Sequence, residues 1–183
     1  ELGVEYSHEP ARPRTPEALA VNPFGKIPAL VDDTFEMYES VAINTYLGDK
    51  FRGVAGVPQL VPPPGTHSRG RYEQLCCMLQ SELDAQALWI HRKHASDVAK
   101  FIGGINPDAV AVAEKHAAKT IDVVALELSK SQGPYLLGHD FSAADILCVH
   151  CMNWAETVGW GARWRDVQEG DTAGKLLADY AQR

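Results

Sequence analysis

The first third of the chain alternates short apolar runs with turn residues. An apolar run at residues 27–31 is broken by Asp32-Asp33, and residues 35–38 then alternate in character. Two such runs on either side of an Asp-rich turn predict a β-hairpin. Upstream, Val4–Tyr6 is predicted as a short strand. Thr15-Pro16 predicts the start of a short helix, with Thr as the cap and Pro at the first helical position.

After the hairpin, apolar residues recur at steps of three and four, which predicts one face of a helix starting at Ser40. They are Val41, Ile43, Tyr46, Leu47 and Phe51. Lys50, Arg52 and Gly53 are typical of a helix end. A helix N-terminus offers unpaired N–H groups and a positive dipole end, which suit a carboxylate ligand. Alternatively, Ser40 is only an N-cap and Glu39 a favourable first-turn charge.

Beyond residue 66 the pattern is helical throughout. Residues 68–94 form a long amphipathic stretch, and Asn106-Pro107-Asp108 predicts the start of a helix that stops at residues 131–134. Ser142 and Asp145 have the spacing of a capping box. The segment 56–66 is rich in proline and predicts a stiff linker. We therefore expect an α/β domain at residues 1–55, a linker at 56–66 and an all-helical domain at 67–183.

Composition excludes several classes of function. The formal net charge of −7 and the lack of a basic stripe argue against a nucleic-acid partner. No apolar run approaches the roughly 20 residues needed to cross a bilayer, so no membrane segment is predicted. Motifs of serine hydrolases (Gly-x-Ser-x-Gly), phosphate loops and zinc hydrolases (His-Glu-x-x-His) are all absent.

The four cysteines do not predict a disulfide framework, because they fall as Cys76-Cys77 and as Cys148 and Cys151 in predicted helices. A zinc site would need two more ligands at suitable spacing, and no second pair is evident, so no metal is predicted. We expect all four thiols to be buried as small apolar groups. Free thiols fit a reducing cytoplasm best.

Two blocks of sequence carry a resemblance to a known family. The first is Asn22-Pro23-Phe24-Gly25-Lys26-Ile27-Pro28-Ala29-Leu30, followed eleven residues after Pro28 by Glu39-Ser40. The second runs from Tyr135 to Asp145 and contains the capping box. Together they resemble the cytosolic glutathione S-transferase family. The resemblance implies an α/β thioredoxin-like N-terminal domain plus an all-α helical-bundle C-terminal domain, and a homodimer.

The resemblance also implies roles for five residues in binding glutathione. The Ile27–Pro28 bond would be cis, and the backbone N–H and C=O of Ile27 would pair with the cysteinyl part of glutathione. Ser40 would bind the γ-glutamyl carboxylate through its N–H and hydroxyl, and Glu39 would face the α-amino group. Lys26 would reach the glycine carboxylate, although a lysine in a surface loop can equally be only solvated.

The implied function is a transferase that conjugates glutathione, as co-substrate, to small hydrophobic electrophiles. A glutathione-dependent reductase, lyase or dehalogenase is the alternative within enzymes, and a non-catalytic protein-interaction module is the alternative outside them. Trp89, His91 and His94 are minor candidates for the second pocket.

The catalytic residue is left unassigned. In the family, the group that contacts the glutathione sulfur lies on a strand and helix that would precede Glu1, and we expect this chain to be incomplete at both ends. Tyr6 and Ser7 have suitable chemistry but are placed on a later strand.

Overall fold

The computed structural model describes residues 1–95 and 98–182. The chain divides into two compact units, Glu1–Pro63 and Pro64–Arg183. Within the described residues, no helix combines the length and the apolar character needed to cross a bilayer.

The first unit contains helix α1 (Pro16–Val21), strands β1 (Ala29–Asp32) and β2 (Phe35–Tyr38), and helix α2 (Ser40–Lys50). The strands pair in antiparallel register, with Ala29 opposite Tyr38 at one end and Asp32 opposite Phe35 at the other. Thr15 caps α1 by accepting a hydrogen bond from the N–H of Ala18 at 3.4 Å. The predicted hairpin and the predicted starts of both helices are confirmed.

The predicted strand at Val4–Tyr6 is wrong. Residues 1–10 have no regular secondary structure, and the side chain of Tyr6 is 83% exposed. A strand is held by hydrogen bonds to a neighbouring strand. In the described part of the chain β1 pairs only with β2, so nothing holds residues 4–6 in a ladder.

The segment after α2 packs into the first unit. Leu60 and Val61 are buried. A Cβ at Gly48 in α2 would approach a methyl group of Val61 to 2.3 Å, so only glycine leaves room for this contact. The segment predicted as a linker therefore supplies two core side chains to the first unit.

The second unit opens with a long helical stretch, made of α3 (His67–Met78), a π-helical segment (Leu79–Leu88) and α4 (Trp89–His94). The prediction of helix over residues 68–94 is confirmed, but its centre is not α-helical. The N–H of Trp89 donates to the carbonyl of Asp84, five residues back. Steps of four and five between the buried Leu79, Leu83 and Leu88 fit this wider turn.

The remaining helices are α5 (Ala99–Ile102), α6 (Pro107–Ser131), α7 (Ala143–Thr157), α8 (Ala162–Arg165) and α9 (Thr172–Ala181). Asn106 caps α6, as predicted, because its side chain accepts from the N–H of Ala109 at 3.1 Å. Gln132 ends α6 in the left-handed conformation, with φ of 57°. Helix α6 packs along the π-helical segment, α4 and α9. The core of this unit includes Tyr72, Leu75, Leu79, Leu83, Ile121, Val124, Met152 and Leu177.

The predicted capping box at the start of α7 is confirmed. The carboxylate of Asp145 accepts hydrogen bonds from the N–H and the hydroxyl of Ser142, both at 2.9 Å. It also accepts from the N–H of Leu136 at 2.9 Å. Asp145 is therefore a buried structural group.

Candidate functional site

The loop that precedes β1 is organised by Asn22, whose side chain is buried. Its amide nitrogen donates to the carbonyl of Lys26 at 2.9 Å, and its amide oxygen accepts from the N–H of Phe24 at 3.0 Å. Its own carbonyl accepts from the N–H of Gly25 at 2.7 Å. Sequence reasoning did not single out Asn22. The tendency of Asn to bond the backbone two residues on was the available signal.

Gly25 fixes the same loop against the preceding segment. The N–H of Arg14 donates to the carbonyl of Gly25 at 2.8 Å. Gly25 has φ of 59°, and a Cβ there would come within 3.1 Å of the Arg14 backbone. Glycine is the residue that adopts this conformation without a steric penalty. The loop thus reaches Lys26 in a defined conformation.

The structure places Lys26, Ile27 and Pro28 at the surface of the first unit. The Ile27–Pro28 peptide bond is cis, as the resemblance implied. Ile27 is 49% exposed although its side chain is apolar. Ile27 therefore lies at the surface just before β1 begins.

Glu39 has an unusual backbone conformation, with φ of 75° and ψ of 111°. Such angles are rare for residues other than glycine. Glu39 occupies the N-cap position of α2, and its carbonyl accepts from the N–H of Ile43 at 2.9 Å. Ser40 is the first helical residue and is exposed. The alternative in which Ser40 is merely the N-cap is therefore wrong, because Glu39 holds that position.

The hairpin brings the two predicted halves of the site together. Ala29 and Tyr38 are partners in the antiparallel ladder, so Pro28 and Glu39 flank the same end of the hairpin. Partner residues in such a ladder have Cα atoms about 5 Å apart. The ring of Phe24 also packs edge-on against that of Tyr38, with centroids 6.2 Å apart. The loop and the start of α2 are thus neighbours.

A polar cluster at the far end of the hairpin ties α2 to β1. The hydroxyl of Tyr46 donates to the carboxylate of Asp32 at 2.5 Å, and Lys50 forms an ion pair with the same carboxylate. The hydrogen bond from Lys50, with that from Tyr46, lowers the pKa of Asp32. At neutral pH Asp32 is therefore an anion, and its carboxylate holds the side chains of Tyr46 and Lys50 in α2.

The three candidate residues of the second unit, Trp89, His91 and His94, each contact another part of that unit. Trp89 and Trp154 are edge-on with ring centroids 5.8 Å apart, and the guanidinium of Arg92 lies over the Trp89 ring at 5.3 Å. His91 packs edge-on against Trp160 at 5.1 Å, and His94 bonds to the carbonyl of Gly104 at 2.8 Å. The two ring pairs join α4 to α7 and to the segment that follows α7.

All four cysteines are free. Cys76, Cys148 and Cys151 are buried, as predicted, but Cys77 is exposed, so the prediction is wrong there. Cys77 follows Cys76 directly, and adjacent helical residues point about 100° apart, so only one of them faces the core. Among the residues that the structure describes, no group of three metal-binding side chains comes together.

Comparison with known proteins identifies the family. Residues 1–50 match the family model of the glutathione S-transferase N-terminal domain. The chain is 33% identical over 180 residues to glutathione S-transferase F10 of Arabidopsis thaliana, an alignment that covers 84% of this chain and 78% of that protein. The chain belongs to the glutathione S-transferase family.

A second glutathione S-transferase, number 3 of Zea mays, is 38% identical over 141 residues. That alignment covers 72% of this chain and 56% of the maize protein, so the chain matches little more than half of that relative. A glutathione transferase homologue from Sulfitobacter, solved with bound glutathione, superposes with a TM-score of 0.64 at 24% identity. The superposition covers 92% of this chain and 72% of that one. The predicted glutathione S-transferase fold, thioredoxin-like and then all-helical, is confirmed.

Proposed function

We propose that this glutathione S-transferase binds glutathione at the open end of its hairpin, through Lys26, Ile27, Pro28, Glu39 and Ser40. The pairing of Ala29 with Tyr38 carries the proposal, because it sets the Lys26–Pro28 loop beside the start of α2. One ligand with a carboxylate at one end and a peptide in its middle can span both elements.

The start of α2 suits the γ-glutamyl end of the tripeptide. The first N–H groups of a helix lack intrahelical partners, and the dipole makes this end positive. Ser40 adds an exposed hydroxyl to these donors. The carboxylate of glutathione accepts from both groups, and Glu39 faces the α-amino group. Backbone conformations as strained as that of Glu39 are concentrated at ligand sites, which supports the assignment.

The loop suits the other two residues of glutathione. An extended peptide binds a strand edge through main-chain hydrogen bonds, so Ile27 offers its N–H and C=O to the cysteinyl residue. Lys26 lies next to it and offers a charge on a flexible stem to the glycine carboxylate. The bound glutathione in the Sulfitobacter homologue supports this choice of ligand.

The reaction that we propose is conjugation. When the thiol pKa of bound glutathione is lowered, the thiol proton passes to solvent and leaves a thiolate, which attacks an electrophilic carbon of a small hydrophobic co-substrate. With chlorodinitrobenzene, a sulfur–carbon bond forms, the carbon–chlorine bond breaks and chloride leaves. No residue of this chain is assigned to activate the sulfur. The names of the relatives support a transferase rather than a bare binding module.

Binding is tested by retention of the full-length protein on immobilised glutathione. We expect the wild type to be retained and Ser40→Ala to be lost or strongly weakened. Ser129→Ala removes an exposed serine from α6 and is the matched control, which we expect to be retained. If Ser40→Ala and Ser129→Ala are both folded and are retained equally, the assignment of Ser40 to the glutathione site is contradicted.

Activity is tested in parallel with two probes. Formation of the dinitrophenyl conjugate supports a transferase. Reduction of hydroxyethyl disulfide without conjugation would contradict the transferase proposal and indicate a glutathione-dependent reductase. Glutathione binding with neither activity would indicate a non-catalytic module.

We also propose that the protein is a cytoplasmic homodimer with domains at residues 1–55 and 67–183. Its free cysteines support a reducing compartment. Sedimentation at micromolar concentration tests the dimer, and a monomeric mass would contradict it.

A further inference from the structure

We infer that Asn22 is a positioning residue for glutathione, because it aims the backbone N–H of Ile27 at the ligand. The inference rests on the proposed function and adds a residue that touches no ligand. It depends on one hydrogen bond, from the side-chain amide of Asn22 to the carbonyl of Lys26 at 2.9 Å.

Peptide planarity connects that bond to the site. The carbonyl of Lys26 and the N–H of Ile27 belong to the same peptide unit, whose atoms lie in one plane. The described cis bond of this loop is the next one, Ile27–Pro28, and the Lys26–Ile27 bond is trans. In a trans unit the carbonyl and the N–H point in opposite directions. Asn22 holds the Lys26 carbonyl inward, so the Ile27 N–H points outward.

The surroundings make Asn22 a rigid anchor. Its side chain is only 2% exposed, so water does not compete for its amide. Its oxygen is fixed by the N–H of Phe24 at 3.0 Å, which leaves the amide nitrogen directed at Lys26. Its N–H donates to the carbonyl of Ala18 in α1 at 2.9 Å. Hydrogen bonds therefore hold both the side chain and the main chain of Asn22 in place.

The substitution Asn22→Asp keeps one of the two side-chain hydrogen bonds and removes the other. The new carboxylate still accepts from the N–H of Phe24, but it has no hydrogen to donate to Lys26. At neutral pH we expect glutathione to bind about tenfold more weakly, as for the loss of one well-placed hydrogen bond. A buried carboxyl that faces a carbonyl has a raised pKa. On acidification it therefore becomes a donor again.

The test is the glutathione dissociation constant, measured by calorimetry at neutral pH and in mild acid, where more of the introduced carboxyl is protonated. We expect Asn22→Asp to regain most of its affinity in acid, while the wild type changes little. Asn106→Ala removes a capping asparagine from the other unit and controls for general destabilisation. We expect it to lower the melting temperature without changing the dissociation constant.

The outcomes separate this inference from the proposed function. A wild type that does not bind glutathione overturns both. A folded Asn22→Asp that binds as tightly as the wild type at neutral pH, or that stays equally weak in acid, overturns the role of Asn22 alone.

Discussion

The hydroxyl of Tyr180 in α9 donates a 2.9 Å hydrogen bond to the carboxylate of Asp145 at the start of α7. Asp145 is 1% exposed and already serves the backbone N–H groups of Leu136 and Ser142. Burial, with the neighbouring Cys148 and Asp145, raises the pKa of Tyr180. Tyr180 therefore stays protonated and remains a donor. One buried carboxylate thus joins the loop before α7, the capping box and α9.

We expect Tyr180→Phe to lower the free energy of unfolding by about 1.5–3 kcal/mol, the range for a hydrogen bond to a charged group. Urea unfolding measures the change. Tyr6→Phe removes a hydroxyl from a side chain that is 83% exposed, and should stay within about 0.5 kcal/mol of the wild type. Equal stability of the two variants would show that the Tyr180 hydroxyl contributes nothing.

Gly48→Ala should destabilise the first unit by about 1–3 kcal/mol, the usual cost of overpacking. The added methyl group would meet a methyl of Val61 at 2.3 Å. Adding Val61→Ala removes that group, so the double variant should lose less than the sum of the two single losses. Thermal unfolding of all three variants measures this coupling. Strict additivity would contradict the close contact.

Only Cys77 should react with a thiol reagent in the native protein. Burial raises the pKa of Cys76 to about 11 and that of Cys151 to about 12, and it raises the pKa of Cys148 as well. Thiolates are the reactive form, so these three thiols should stay inert even near pH 9, about the ordinary pKa of cysteine.

Titration with Ellman's reagent should therefore count one fast thiol in native protein and four in urea, since the chain has four cysteines. Cys77→Ser should abolish the fast phase. A fast phase that survives this substitution would show that one of the buried thiols is accessible.

Glu39→Gly should raise stability and weaken glutathione binding together. Glycine adopts a φ of 75° without strain, and relief of such strain amounts to about 1 kcal/mol. The same change removes the carboxylate proposed to face the α-amino group. Denaturant unfolding and glutathione calorimetry measure the two effects.

Asp33→Gly is the matched control, because Asp33 also has a positive φ, of 55°, in the hairpin turn. Aspartate tolerates that left-handed region, so we expect a change within about 0.5 kcal/mol and unaltered affinity. A Glu39→Gly variant with undiminished affinity would remove Glu39 from the site.

Local signals in the sequence predicted most of the fold. Thr15, Asn106 and Ser142 each cap the helix that their spacing indicated. These signals succeed because a cap is a contact between residues two or three positions apart. The strand at Val4–Tyr6 failed because strand formation depends on a partner that local pattern does not supply.

The site was predicted only in part. The sequence indicated Lys26, Ile27, Pro28, Glu39 and Ser40, and the hairpin register places them at one end. The positive φ of Glu39 was not foreseen. The anchoring bond of Asn22 was not foreseen either, although it joins residues only four positions apart. The bond from Tyr180 to Asp145 spans 35 residues and lay beyond any local pattern.

The most direct test of glutathione binding at the hairpin end follows the backbone amides of Ile27 and Ser40 by nuclear magnetic resonance during a glutathione titration. We expect both amides to shift along one saturation curve with a single dissociation constant, because one ligand bridges the loop and the start of α2. Saturation of the protein with glutathione while either amide stays unmoved would contradict the assigned site.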